Sequence, residues 1–254
     1  MTLVGTVATI IAAVLIGTIL QRLSGTGVGL VVAPVLSLLL GPALGVLVTN
    51  MTTVVSGFLI MLSVWAYVNW RAFWLIIPAA VVGAWPGAWL VGVLSAAWLS
   101  IILGVIVVAA LAVTVTLRRL PEWTTRLPAV IAGLLGGFFN STSGVAAPVM
   151  VIYSRVSRWE QRAFAATLQP VFMTMGAAAV ISKVTLGSVD LNAGAGLPLG
   201  WIFPAIIATV LVGILIGARL SRRVPVAAAR AMAMTLAGAG GVAAILRGVV
   251  ELVI

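Results

Sequence analysis

Thirteen apolar residues, Leu127 to Phe139, run directly into Asn140-Ser-Thr-Ser-Gly144, and a second short apolar run, Val145 to Ile152, follows. A helix of that first length reaches only about 20 Å, whereas a bilayer core is roughly 30 Å thick. Neither run comfortably crosses a membrane alone, so the polar pentapeptide is expected inside it. Irregular polar backbone is tolerated at that depth only where it is buried in protein or lines a wet cavity. The pentapeptide is therefore a candidate binding site.

Composition supports the membrane setting on which this rests. The 254 residues are 63% hydrophobic and 7% charged, with a mean hydropathy of +1.30, outside the range of soluble domains. A net charge of +10 would suggest a nucleic-acid partner in a soluble protein. Here the 14 basic residues are scattered over short connections between apolar segments, which points to topology instead and excludes nucleic acid. There is no cysteine and no histidine, which removes disulfides, thiol catalysis, thiolate metal sites, Ser-His-Asp chemistry and a histidine proton relay. The four acidic residues, Glu122, Glu160, Asp190 and Glu251, lie near segment ends, so no intramembrane carboxylate pair is available for acid–base catalysis. The run from Met1 has no basic n-region or cleavage site and reads as mature sequence.

Apolar segments fall at about 2–21, 26–41, 43–68, 72–94 and 98–117, then 127–139, 144–153, 161–185, 197–218 and 226–250. The charged stretch between Arg118 and Arg126 divides them five and five. Motifs recur across that divide in the same order. Val31-Val-Ala-Pro34 matches Val145-Ala-Ala-Pro148, Thr49 matches Thr167, and the pair Gly83 and Gly87 matches Gly213 and Gly217. These predict an all-α polytopic membrane domain of two repeats, 1–120 and 121–254, each a broken or re-entrant hairpin followed by three transmembrane helices. Three crossings per half invert the repeats. With the central linker in the cytoplasm, eleven basic residues lie inside and only Lys183 and Arg247 outside, with Arg22 undecided and both termini external. Residues 2–21 are long enough to span, so whether the first hairpin is re-entrant or spanning stays open.

The residues able to carry chemistry cluster at the two breaks. Ser24-Gly25-Thr26-Gly27-Val-Gly29 and Asn140-Ser141-Thr142-Ser143-Gly144 are each expected to start a helix. A helix N-terminus offers free N–H groups and partial positive charge, and glycine lets a ligand approach the backbone. Two such ends arriving from opposite leaflets would converge on an anion near the midplane; ordinary tight turns are the plainer alternative. Asn50 and Gln169 lie within apolar helices and must face another helix or a substrate. Pro170 should kink its helix. Lys183, the sole lysine, either snorkels to the interface, pairs with Asp190, or turns inward as a fixed counter-charge. Arg22 faces the cavity if the first segment breaks at mid-depth.

The paired Gly/Ser-rich breaks followed by Val/Ala-Ala-Pro, the threonine-containing third segments, the Val68-Asn-Trp-Arg71 turn and the Gly-x-x-x-Gly fourth segments resemble the TauE/SafE sulfite exporter family (TSUP transporters) over about residues 15 to 250. That resemblance implies transport of sulfite, sulfoacetate or related organosulfonates across the bacterial cytoplasmic membrane. It also implies that residues 24–29 and 140–144 line the site. Expected partners are a small anion and membrane lipids, with no cofactor and no metal; homo-oligomer formation stays open. No ATPase motif is present, so transport is expected to be secondary, by alternating access and outward under an inside-negative potential. A passive anion or small-solute channel and a non-transporting scaffold are the competing readings.

Overall fold

The computed structural model describes residues 3–116, 121–123, 125–190 and 199–253. Ten α-helices account for nearly all of it, and no strand occurs among the described residues. In the first half they are α1 (Leu3–Ser24), α2 (Val28–Leu40), α3 (Pro42–Val64), α4 (Trp70–Val93) and α5 (Ala96–Thr116). The second half holds α6 (Leu127–Ser143), α7 (Ala147–Val156), α8 (Gln161–Thr185), α9 (Leu199–Leu220) and α10 (Val226–Val253). Seven are long and apolar enough to cross a bilayer; α2, α6 and α7, at 13, 17 and 10 residues, are the short ones. Arg118 and Arg119 of the linker lie outside the described residues.

Local chemistry sets the boundaries. Pro42, with its missing N–H and fixed φ, opens α3, and the Asn69 side chain accepts from the Ala72 N–H to cap α4. The Glu160 carboxylate accepts from the N–H groups of Arg162 and Ala163 at the start of α8. Those two bonds hold it below the usual carboxylate range. The Arg247 guanidinium donates to the carbonyls of Leu38 (2.6 Å) and Ser37 (3.5 Å), satisfying free carbonyls at the end of α2.

The two breaks differ from the sequence expectation. Asn140 to Ser143 are not irregular and do not start a helix; they form the last turn of α6, which ends at Gly144 in the left-handed region (φ 74°). Thr142 and Ser143 hydroxyls donate back to the Phe138 and Phe139 carbonyls, which lets a polar run stay helical in an apolar setting. The first break is likewise later than expected: α1 continues through Ser24 and turns at Gly25 (φ 82°). Unbroken over 22 residues, α1 is long enough to span, whereas its hairpin partner α2 is not. The register of the repeat also changes. Gly25 and Gly144 are 119 residues apart, but Pro34 and Pro148 are 114 apart, with Pro34 seventh in α2 and Pro148 second in α7. The matched prolines are therefore not structurally equivalent.

Packing is partly regular. The most extensive pairs are α4 with α6, α5 with α10, α3 with α8 and α4 with α8, followed by α2 with α3 and α1 with α9; α2 with α3 has no comparable counterpart between α7 and α8. Exchanging each helix for the one five places along converts α1·α9 into α6·α4, α2·α10 into α7·α5 and α3·α9 into α8·α4. It returns α3·α8 and α5·α10 to themselves. Small residues make these contacts close. Gly83 and Gly87 of α4 lie against the backbone at Leu134 and Phe138 of α6, and Gly133 and Gly137 of α6 lie against Ile76 and Ala80 of α4. Gly213 and Gly217 of α9 pack on Thr18 and Arg22 of α1. Such glycine spacing is how membrane helices gain dispersion contact without a hydrophobic driving force. The centre of the molecule is α3 and α8: 72% and 61% of their spanning windows are buried, against 22% for α9 and for α10.

Candidate functional site

The site is built on the crossing of α3 and α8. A Cβ at Gly57 would lie 2.8 Å from the Gln169 carbonyl oxygen, and one at Gly176 would lie 2.9 Å from that of Asn50. The two helices thus touch backbone to backbone, near the middle of each. Each then presents one buried amide side chain to a hairpin. Gln21 Nε2, on α1, donates to Gln169 Oε1 at 2.9 Å. Asn140 Nδ2, on α6, donates to Asn50 Oδ1 at 3.2 Å. Gln21 and Asn140 are 119 residues apart, as are Asn50 and Gln169, Gly57 and Gly176, and Gly25 and Gly144. One spacing therefore relates the two amide clasps, the helix crossing and the two breaks.

The breaks meet. Gly29, in the first turn of α2, lies directly against the Gly144 carbonyl, and Gly144 packs on Ala33 and Thr49. Between the tips and the crossing lies a small cavity bordered by Gln21, Gly27, Gly29, Thr53, Asn140, Gly144 and Phe172. About 20 Å³ of it is open to water centres, room for roughly one water. The first turns of α2 and α7 also border it, and neither start is capped by a side chain. The first N–H groups of a helix have no intrahelical acceptor, so both starts carry free donors and the positive end of the helix dipole. No acidic residue borders the cavity: Glu122, Glu160, Asp190 and Glu251 are all exposed. Amide and backbone donors without an opposing carboxylate suit an anion.

Of the residues singled out from sequence, Gly27, Gly29, Asn140 and Gly144 border this cavity. Asn50 and Gln169 stand behind it, fully buried, each holding a hairpin amide. Gly25 supplies the first turn, and its carbonyl accepts from Gln169 Nε2 at 3.2 Å. Ser24, Thr26, Ser141, Thr142 and Ser143 are buried near the tips but do not border the cavity. The Ser24 hydroxyl lies 2.9 Å from the Leu20 carbonyl, while Ser141 Oγ has no hydrogen-bond partner among the described residues. Arg22 is half-buried, against Gly217. Lys183 is 0% exposed, so it does not snorkel, and its Nζ has no acceptor among the described residues.

Gln21 was not singled out from sequence, and it borders the cavity together with Thr53, about one turn beyond Asn50 in α3. Gln21 also accepts a 3.1 Å hydrogen bond from Ser56. The signal for Gln21 was the interval itself: applied to Asn140, the Asn50–Gln169 spacing lands on it. Among the described residues no three acidic side chains group as metal ligands.

Comparison with known proteins adds an independent line. The family profile described as Sulfite exporter TauE/SafE matches residues 9–244. The Probable inner membrane transporter protein TsaS of Comamonas testosteroni is 31% identical over 179 residues, covering 68% of this chain and 71% of that protein. No solved structure matches.

Proposed function

This chain belongs to the TauE/SafE sulfite exporter family and is a membrane transporter; on that premise we propose that it carries small sulfur oxyanions or organosulfonates outward across the bacterial cytoplasmic membrane, as a secondary carrier. The observation that carries this reading is the pair of amide clasps, one on each side of a donor-lined cavity. Taking the orientation from basic-residue counting, α8 starts inside and α3 starts outside. Gln169 then lies on the inner side of the crossing and Asn50 on the outer. The α1–α2 hairpin comes from outside and closes the inner way; the α6–α7 hairpin comes from inside and closes the outer way.

In the proposed cycle, opening one clasp at a time wets the cavity from one side. The anion exchanges its water for Gln21 and Asn140 amides, the Thr53 hydroxyl and the free N–H groups of the two helix starts. The halves act as inverted repeats that rock about the glycine crossing. An inside-negative potential favours outward movement of an anion by about 2.3 kcal/mol per charge per 100 mV, so export requires no intramembrane proton acceptor. The tight, doubly closed cavity favours a carrier over an open channel.

Proteoliposomes loaded with sulfoacetate or sulfite test this directly. The expected result is saturable efflux with counterflow, reduced at least about tenfold by Asn140→Ala, the equivalent of roughly 1.4 kcal/mol. Absence of wild-type flux for every sulfur anion tried would exclude the substrate class. Large single-channel conductance would replace the carrier with a pore.

A further inference from the structure

A groove of about 370 Å³ opens between α6 and α7, and it shares no lining residue with the central cavity. Its origin is in what each arm of the hairpin packs on. Gly133 and Gly137 bring α6 against the backbone of α4 at Ile76 and Ala80. Arg155, near the end of α7, donates instead to the Thr114 carbonyl of α5 at 2.8 Å. The arms are held by different neighbours, and a wedge stays open between them. Pro128, Ala132 and Tyr153 are its buried residues, Ile131 and Leu135 stand exposed along it, and Phe139 borders its inner end. At the other end the Trp123 N–H donates to the Val156 carbonyl at 3.1 Å, which ties the central linker to α7 beside the opening.

The dimensions restrict what can fill the wedge. Pro128 and Phe139 are eleven residues apart on α6. That is about 16 Å of helix, and half of a bilayer core is roughly 15 Å. The lining side chains are apolar except for the Tyr153 hydroxyl and the Trp123 indole N–H, so the wedge does not hold water. A helix about 10 Å across would displace roughly 1,200 Å³ over that length. The groove offers about a third of this, which suits a single hydrocarbon chain rather than a helix of a second copy.

The mouth is basic. Arg126 is exposed two residues before Pro128. Arg158, two residues after Val156, lies 4.0 Å from Glu122, with the two side chains 59% and 56% exposed. So loose and exposed a pair leaves its charges open to other partners. Trp123 and Tyr153 are the residue types that settle at the level of lipid headgroups, and they line this end.

We propose that the α6–α7 groove is a resident lipid site: it holds one acyl chain of an anionic phospholipid, whose phosphate lies against Arg126 and Arg158. Basic-residue counting assigns this mouth to the cytoplasmic leaflet. The chain fills the wedge that α4 and α5 keep open, and its end reaches Phe139, the residue before the Asn140 amide. The site does not depend on what the protein transports.

The test is photolabelling of the whole protein in phosphatidylcholine vesicles, using trace phosphatidylglycerol with a diazirine midway along one chain and peptide mapping as the readout. Label on 128–139 and 149–156 should exceed that on the exposed α10 face around Leu246 and Val250 by at least about fivefold. Unlabelled phosphatidylglycerol should displace it at a mole fraction about fivefold lower than phosphatidylethanolamine, and Arg126→Gln should erode that preference. Leu135→Trp, at an exposed position, should fill the groove and remove most of the label. Phosphatidylglycerol should also raise the melting temperature of the detergent-purified wild type more than that of Leu135→Trp. Equal label on the two faces, no headgroup preference, or a second copy of the chain cross-linked across α6 and α7 overturns the site. No readout here requires flux, so absence of transport overturns the transport reading alone.

Discussion

At the scale of single residues, the arrangement turns on where each buried amide finds its partners. Gln21 donates to Gln169 and accepts from Ser56, so replacing it with leucine strands the Gln169 side-chain oxygen and leaves the Ser56 hydroxyl only the 3.4 Å contact to the Thr53 carbonyl. A stranded group costs about 1–3 kcal/mol. Gln21→Leu should therefore cut sulfoacetate efflux by at least about tenfold in proteoliposomes; wild-type flux in a well-folded variant would remove Gln21 from the mechanism. Glu160 offers a different test, outside the membrane. Its carboxyl is held low by the Ala163 and Arg162 N–H groups. A depressed folded value means that its contribution is present above the unfolded value and fades as pH falls through the folded one. The melting temperature of Glu160→Ala should fall below wild type at neutral pH, and the gap should close on acidification. Residues of this kind were unevenly legible in the sequence. Asn50, Asn140 and Gln169 stand out because an amide in an apolar run demands a partner. Gln21 was hidden because it lies beside Arg22 and reads as the polar flank of a finished helix. Lys183 stayed open in the sequence because a long side chain near a helix end can snorkel, pair or turn inward, and only packing shows that this one is buried.

At the scale of helices, closeness is set by glycine. A methyl group at Gly137 would run into the Ala80 carbonyl, which is backbone and cannot rotate away, whereas one at Gly238 meets only Leu111 Cδ1 at 3.4 Å. Gly137→Ala should push α4 and α6 apart and markedly lower the melting temperature or the monodisperse yield. Gly238→Ala should be near neutral, and equal melts for the two would show that the α4–α6 approach matters little. The Gly-x-x-x-Gly signals gave this packing correctly from sequence. The helix ends were harder. Polar residues 140–143 look like a loop by composition, but serine and threonine hydroxyls bond back one turn and keep the helix going. Proline misled in the same way, because Pro34 and Pro148 sit at different depths in their helices, so the motif they share is not a structural landmark.

At the scale of the whole molecule, the proposed reading of two halves set in opposite orientations draws on the common interval of 119 residues, and it remains a proposal about topology that labelling can test. A cysteine-free chain makes the orientation simple to test. Glu122→Cys should react with an impermeant maleimide only from the cytoplasmic side and Val253→Cys only from the outside; the reverse pattern would exchange the roles of the two clasps. The clasps are also unequal. Gln169 Nε2 bonds the Gly25 carbonyl and its own Ala165 carbonyl, and Ser56 supports Gln21, whereas Asn50 Nδ2 has no partner among the described residues. Under the proposed orientation the firmer latch is the cytoplasmic one, and the proposed carrier would rest, when empty, with its site turned to the exterior. In that proposed cycle, reorienting empty would be the slow leg. Sulfoacetate added outside should accelerate release of labelled sulfoacetate from within, so that under load the protein behaves as an exchanger before it behaves as a pump.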